Sequence, residues 1–202
     1  MDSLFLDLRG NSIPMDQVLG YGASAVVILQ DDSAVKTPLR YSWSSDADVK
    51  MNTEVIQREQ ENPCDGIVHC IEFAREATHL AYMANGDLRK YRKTNRPFPQ
   101  LQLLWACQMA RTLVYIHERR VLVTDIASRN MLLDVDLSLK FCDFSEASIL
   151  PPDVDMGAVD DNGYTTRIDI GQLGAVIYEI VTGNKCDIDL FRDNLPTDGR
   201  AT

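Results

Sequence analysis

The sequence predicts an α+β fold in which a small β-rich part comes first and a mainly helical part follows. Three observations predict it. Short apolar runs separated by turn residues fill much of the chain between Val18 and Met83. Apolar residues at helical spacing dominate residues 101–118, and an apolar helix occupies residues 175–181, ended by Gly183. Between these, residues 121–145 form apolar strand-like runs that end in Asp125 and Asp143, with Asn130 opening the middle run.

Taken in order, residues 1–15 are weakly patterned. Val18-Leu19 enters a glycine turn, and Val26-Val27-Ile28-Leu29 leaves it as a second strand. Asp31-Asp32-Ser33 then makes a tight hairpin turn into a third strand, Ala34-Val35-Lys36. The turn Gly20-Tyr21-Gly22-Ala23-Ser24-Ala25 approximates G-x-G-x-x-G, with Ala25 at the third glycine position. Glycine lets backbone N–H groups approach phosphate oxygens closely. A dinucleotide-binding βαβ reading fails, because a strand and not a helix follows the glycines.

Residues 46–61 turn polar and charged and read as a helix with a thin apolar face of Val49, Met51, Val55 and Ile56. Strands at residues 67–73 and 79–83 follow, and Ala84-Asn85-Gly86 makes a turn in which Asp87 can cap the helix starting at Leu88. Pro97 and Pro99 close that short helix. The long helix 101–118 comes next, with Trp105 and Met109 as core residues.

The chemistry concentrates in residues 121–145. Strand ends and short loops can aim Asp125, Asn130 and Asp143 at one point. Such a trio suits phosphoryl transfer: one carboxylate orients an attacking hydroxyl, while an amide and a second carboxylate hold magnesium on the phosphates. Any one of these residues alone reads as an ordinary turn residue, so the reading rests on the ordered set and on Lys36 upstream.

Composition bounds the alternatives. Of 202 residues, 20 are basic and 30 acidic, a formal charge of −10 that leaves no basic excess for a nucleic-acid partner. The five cysteines are scattered without a C-x-x-C pair; three sit in apolar runs and read as small core residues in a reducing compartment. No run approaches the roughly 20 apolar residues of a membrane span, and the start carries acids among its apolar residues, unlike a signal peptide. The expectation is a soluble intracellular protein, cytoplasmic or nuclear and not secreted, without a membrane or nucleic-acid partner.

Gly20, Gly22, Lys36, Asp125, Asn130, Asp143-Phe144 and Asp169, in this order and spacing, resemble the eukaryotic protein-kinase family from about Gly20 to Gly183. The resemblance implies a two-lobed fold. A small antiparallel β-lobe with one helix would span residues 1–83, and a hinge would lead into a partial helical lobe, residues 84–202. ATP and magnesium would bind between the lobes. Lys36 would hold the phosphates beneath Gly20 and Gly22, paired with Glu54 or Glu59. Val27, Ala34 and Leu132 would contact adenine, with Met83 at the hinge and Asp87 a ribose partner. Asp125 would position the acceptor hydroxyl, Asn130 and Asp143 would bind the metal, and Asp169 at a buried helix start would brace the catalytic-loop backbone.

Departures accompany the likeness. Val123 and Thr124 stand where the family has histidine and arginine, Ser145 replaces a glycine, no A-P-E precedes Tyr164, and the helical lobe is short. Asp125-Ile126-Ala127-Ser128-Arg129-Asn130 leans towards the tyrosine-kinase-like pattern. The resemblance implies an ATP- and magnesium-dependent protein kinase of unknown protein substrate, Ser/Thr before Tyr. A pseudokinase, a binding or scaffolding module that keeps the fold without turnover, is the competing expectation.

Overall fold

The structure is a computed structural model that describes residues 4–58, 64–74, 77–157 and 163–186. The chain separates into two compact units, Met1–Ala84 and Asn85–Thr202.

The first unit is a five-stranded antiparallel sheet with one helix. Strands β1 (Val18–Tyr21), β2 (Ala25–Gln30), β3 (Ser33–Pro38), β4 (Cys70–Ala74) and β5 (Ala77–Ala81) lie in the order β1-β2-β3-β5-β4. The β2–β3 hairpin closes in two residues, Gln30 pairing with Ser33. Asp31 and Asp32 both take positive φ, 46° and 62°. This is the turn geometry whose twist suits two antiparallel strands, and Asp tolerates it better than most side chains.

Register sorts the side chains onto two faces. Val27 pairs with Lys36 and Lys36 with Thr78, while Leu29 pairs with Ala34 and Ala34 with Leu80. Side chains of paired residues share a face, so Val27, Ala34 and Lys36 stand together. The other face carries Val26 and Ile28, and here Phe5 and Ile13 join Val26 and Leu39 in a buried core, with Val18, Ile28 and Tyr41 packed on it. The weakly patterned start is therefore an ordered strap. It pairs at Phe5 with Tyr41, and Asp7 closes its turn by accepting the backbone N–H groups of Arg9 at 2.9 Å and Asn11 at 2.7 Å.

Helix α1 (Asp46–Arg58) packs against β3. Its start is capped reciprocally. Ser45 Oγ accepts the Asp48 N–H at 3.2 Å, and Asp48 accepts the Ser45 N–H at 2.9 Å. Met51, expected on the apolar face, is 59% exposed. The strand expected at residues 67–73 begins only at Cys70, because pairing along this edge is irregular, with a shift of register between Cys70 and Glu72. Strand β5 likewise ends at Ala81 and not at Met83.

The second unit contains α2 (Leu88–Thr94), α3 (Pro99–Glu118), β6 (Val121–Leu122), a 3₁₀ turn (Ser128–Asn130), β7 (Met131–Leu133), β8 (Leu139–Phe141), β9 (Ser148–Ile149) and α4 (Thr166–Thr182). Pro99 opens α3 and does not close α2, as suits a residue without an N–H at a first helical position. Leu101, Trp105, Met109, Leu113 and Ile116 line its buried stripe, and Trp105 donates its indole N–H to the Leu137 carbonyl at 2.8 Å beside the β7–β8 hairpin. Helix α4 begins at Thr166, nine residues before the apolar run that announced it, and ends at Gly183 with φ 80°. Both helices also expose apolar side chains, Leu103 and Val114 on α3 and Ile170, Tyr178 and Val181 on α4. No disulfide joins any of the five cysteines, and none is fully buried, so the expected core role fails: Cys107 faces solvent.

Candidate active site

Residues 123–126 form an irregular stretch after β6, and α4 holds their backbone. The carboxylate of Asp169, in the first turn of α4 and fully buried, accepts the N–H of Val123 at 2.9 Å and of Thr124 at 2.8 Å. His117, in the last turn of α3, donates Nε2–H to the same carboxylate at 2.8 Å. One turn on, Gln172 accepts the Ile126 N–H at 2.9 Å and donates to the Thr124 carbonyl at 2.8 Å. Asp125 thus sits in a stretch fixed on both sides by side chains spaced i, i+3 on one helix. Thr124 has a positive φ of 65°, an unfavourable conformation for a β-branched residue. Its hydroxyl donates to the Glu146 carbonyl at 2.7 Å. Where the family has arginine, a short neutral side chain ties this stretch to the segment after Asp143.

Within the loop, Asn130 is buried and donates both amide hydrogens to Asp125, to the carbonyl at 3.0 Å and to Oδ2 at 2.8 Å. That leaves Asn130 Oδ1 as its donor atom for a cation. Arg129 closes on both Asp125 carboxylate oxygens at 2.6 and 2.7 Å. The β7–β8 pairing aligns Met131 with Phe141, and the Cys142 N–H donates to the Asn130 carbonyl at 2.9 Å. Asp143 therefore follows the residue bonded to Asn130, and it takes a positive φ of 64°. Ser145 Oγ donates to Asp143 Oδ1 at 3.1 Å. The structure brings Asp125, Asn130 and Asp143 onto adjoining turns, with Asp169 beneath the first of them.

Two hard oxygen donors, Asn130 Oδ1 and the Asp143 carboxylate, fit magnesium. This ion binds through one or two protein oxygens and takes the rest of its shell from phosphates and water. Among the described residues no group of three or more His, Cys, Asp or Glu could hold a metal by itself.

In the first unit, Lys36 is buried at 7% exposure on β3. The glycine turn closes on itself through the Gly22 N–H to the Ala25 carbonyl at 2.9 Å. Neither Gly20 nor Gly22 has a positive φ, and a Cβ added at either would meet no described atom within 4 Å. The fold itself does not require glycine at these two positions. Glu54 falls in α1, and Glu59 lies outside the described residues.

Asp87 caps α2, accepting the Lys90 N–H at 2.8 Å. Leu132 forms a bridge with Asp87, and Met83 is buried at the end of the first unit. The family model described as protein kinase domain matches residues 15–188. The chain belongs to the protein kinase domain family.

Its relatives are distant. This kinase domain is 31% identical over 135 residues to protein kinase gsk31 of Schizosaccharomyces pombe, covering 54% of the chain and 35% of that protein. It is 29% identical over 140 residues to the serine/threonine-protein kinase Nek11 of Macaca fascicularis, covering 62% and 20%. It is 31% identical over 122 residues to the tyrosine-protein kinase Srms of Mus musculus, covering 52% and 24%. The matched part of the chain spans about a third or less of these proteins.

Sequence reading missed Gln172 and His117. The signal for Gln172 was available: a polar residue in an apolar helix, one turn after Asp169. His117 carried none, because only folding brings the end of α3 to α4. No described helix is long and apolar enough to cross a membrane.

Proposed function

We propose that this kinase domain transfers the γ-phosphate of ATP to a protein hydroxyl, serine or threonine before tyrosine, with magnesium. The observation that carries the reading is the fixed loop. Asp125 lies between two backbone stretches clamped by Asp169 and Gln172, with Asn130 and Asp143 on the neighbouring strand ends. Preorganised carboxylates of this kind contribute by positioning and electrostatics, which is most of what phosphoryl transfer asks of a protein. Asp125 orients the acceptor hydroxyl, Asn130 and Asp143 hold magnesium, and Lys36 binds phosphate oxygens. Magnesium, when bound, neutralises charge on the phosphates. The open space at Gly20 and Gly22 supports their role as sites of close phosphate approach. In this reading Val27, Ala34, Met83 and Leu132 would contact the adenine, Asp87 the ribose, and Glu54 or Glu59 would be the partner of Lys36. The relatives include both serine/threonine and tyrosine kinases by name, and the acceptor preference rests on the former. A cytoplasmic site of action accords with cysteines that form no disulfide.

A specific observation favours the second reading, a pseudokinase scaffold. Arg129 occupies both oxygens of the carboxylate that the reaction needs. Labelled phosphate transfer to a protein mixture, comparing wild type with Asp125→Asn, separates the two. A fall on the order of 100-fold, with ATP binding retained, supports the kinase. Equal transfer by both proteins removes Asp125 from the role. No transfer by a folded wild type leaves the scaffold.

A further inference from the structure

Four aromatic rings run in sequence across the first unit. The Tyr21 ring, at the glycine turn, lies 5.0 Å from the Phe5 ring, Phe5 lies 5.7 Å from Tyr41, and Tyr41 stacks on Trp43 at 4.8 Å with an interplanar angle of 3°. The two ends of the ladder face solvent, Tyr21 at 65% exposure and Trp43 at 69%, whereas Phe5 is 3% exposed. Buried Phe5 is thus the one ring that the strap contributes, and it joins the glycine turn to the loop that leads into α1. The strap is itself anchored: the Leu6 N–H donates to the Arg40 carbonyl at 2.9 Å, and Arg40 returns a bond to the Leu8 carbonyl at 2.8 Å. Tyr21 pairs with Val26, and Val26 belongs to the core under Phe5, so the ladder lies on the sheet face opposite Lys36. A device on that face holds the turn from behind and leaves the phosphate face clear.

We propose that Phe5 is a positioning residue for the glycine turn: through Tyr21, the strap fixes the turn in the position from which its backbone meets phosphate. The proposal rests on the reading of that turn as the phosphate loop. Between the strand pairings of Tyr21 with Val26 and Ala25 with Pro38, the Gly22-to-Ala25 bond and the Leu39 N–H to the Ser24 carbonyl at 2.8 Å also hold the turn. An offset or tilted aromatic pair adds a modest term beyond area burial, enough to bias a loop and too little to decide the fold. The contact therefore sets how much the free turn moves, and with it how much ordering nucleotide binding must supply.

The test uses the full chain and two measurements. Phe5→Leu keeps apolar bulk against Ile13, Val26 and Leu39 and loses the ring. Tyr21→Leu loses the exposed partner, and Tyr21→Phe retains it. Hydrogen exchange at residues 20–24 of the nucleotide-free protein should quicken about two- to tenfold in both leucine variants, the range an aromatic pair supplies. Residues 34–37 of β3 should be unchanged, and Tyr21→Phe should match wild type. The double leucine variant should be no faster than either single one. Magnesium-ATP affinity should weaken by a similar factor in the leucine variants. Unchanged exchange at residues 20–24 in Tyr21→Leu overturns the proposal, as does additivity in the double variant or equal quickening throughout the sheet. Should Phe5→Leu fail to fold, the exposed Tyr21 variants decide alone. Quickened exchange in the leucine variants, with neither wild type nor variants binding ATP, upholds the strap and overturns the nucleotide reading instead.

Discussion

Asp169 Oδ1 meets the backbone N–H of Thr124 at 2.8 Å although 45 residues separate them, and Oδ2 takes the preceding N–H of Val123. One buried carboxylate thereby stabilises a residue in a left-handed conformation next to Asp125. Unpaired, those two N–H groups would be costly in the interior. Placed in the first turn of α4, the carboxylate also faces the positive end of the helix dipole.

Replacing Asp169 with Asn keeps the volume but turns an N–H group towards one of the two backbone donors. We expect a loss of about 2–3 kcal/mol of stability for Asp169→Asn, and about 3–5 kcal/mol for Asp169→Ala, which leaves both N–H groups without an acceptor. Urea unfolding with an unchanged m-value is the measurement. A cost below 0.5 kcal/mol for Ala would mean that water substitutes for the carboxylate, roughly the effect of a surface change.

Gln172→Leu removes the other half of the clamp. The Ile126 N–H and the Thr124 carbonyl lose their partner, for about 1–3 kcal/mol. Because the freed segment contains Asp125, phosphate transfer should fall about tenfold or more, with ATP affinity little changed. A change in ATP affinity alone would place the effect elsewhere than Asp125.

The elements that could be read from the sequence are those whose cause is local. The β2–β3 hairpin follows from Asp31-Asp32 alone, and the buried stripe of α3 from its own spacing. The start of α4 had no pattern of its own, and only the family resemblance put a helix start at Asp169. Residues 166–174 hold β-branched side chains and two glycines, a poor helix by propensity, and this stretch is helical because Asp169 and Gln172 are fixed to the loop across the unit. The strap failed for the same reason: Phe5 makes sense only once Tyr41 is opposite it. At the candidate site, the order of Asp125, Asn130 and Asp143 was legible. Arg129 on Asp125, and Thr124 on Glu146, are contacts that spacing does not reveal.

Helix α1 should respond to pH through its cap. The side-chain hydroxyl of Ser45 and then its backbone N–H hold the Asp48 carboxyl below its usual value. A depressed folded pKa means that the cap contributes fully above the unfolded value, near 3.8, and is lost as pH falls through the lower folded one. Hydrogen exchange in the first turn of α1, corrected for the intrinsic rate, should show protection constant from pH 7 to 5 and falling below about pH 4. In Asp48→Asn the acid-dependent fall should vanish. Protection that declines already between pH 7 and 5 would point to a different titrating group.

The Arg129–Asp125 pair decides between turnover and scaffold by its strength. Both side chains are part-exposed, Arg129 at 48% and Asp125 at 34%, and exposed ion pairs contribute only about 0–1 kcal/mol. A pair that weak opens at a cost of about fivefold at most in population, so an arriving hydroxyl can displace the guanidinium. We therefore expect Arg129→Ala to leave stability within about 1 kcal/mol and phosphate transfer within about fivefold of wild type, while Asp125→Asn falls on the order of 100-fold. A collapse in Arg129→Ala equal to that in Asp125→Asn would mean that the two residues act as a unit and that the pair is not weak. A silent wild type that gains transfer in Arg129→Ala would make the guanidinium a block on Asp125, and the native chain a scaffold.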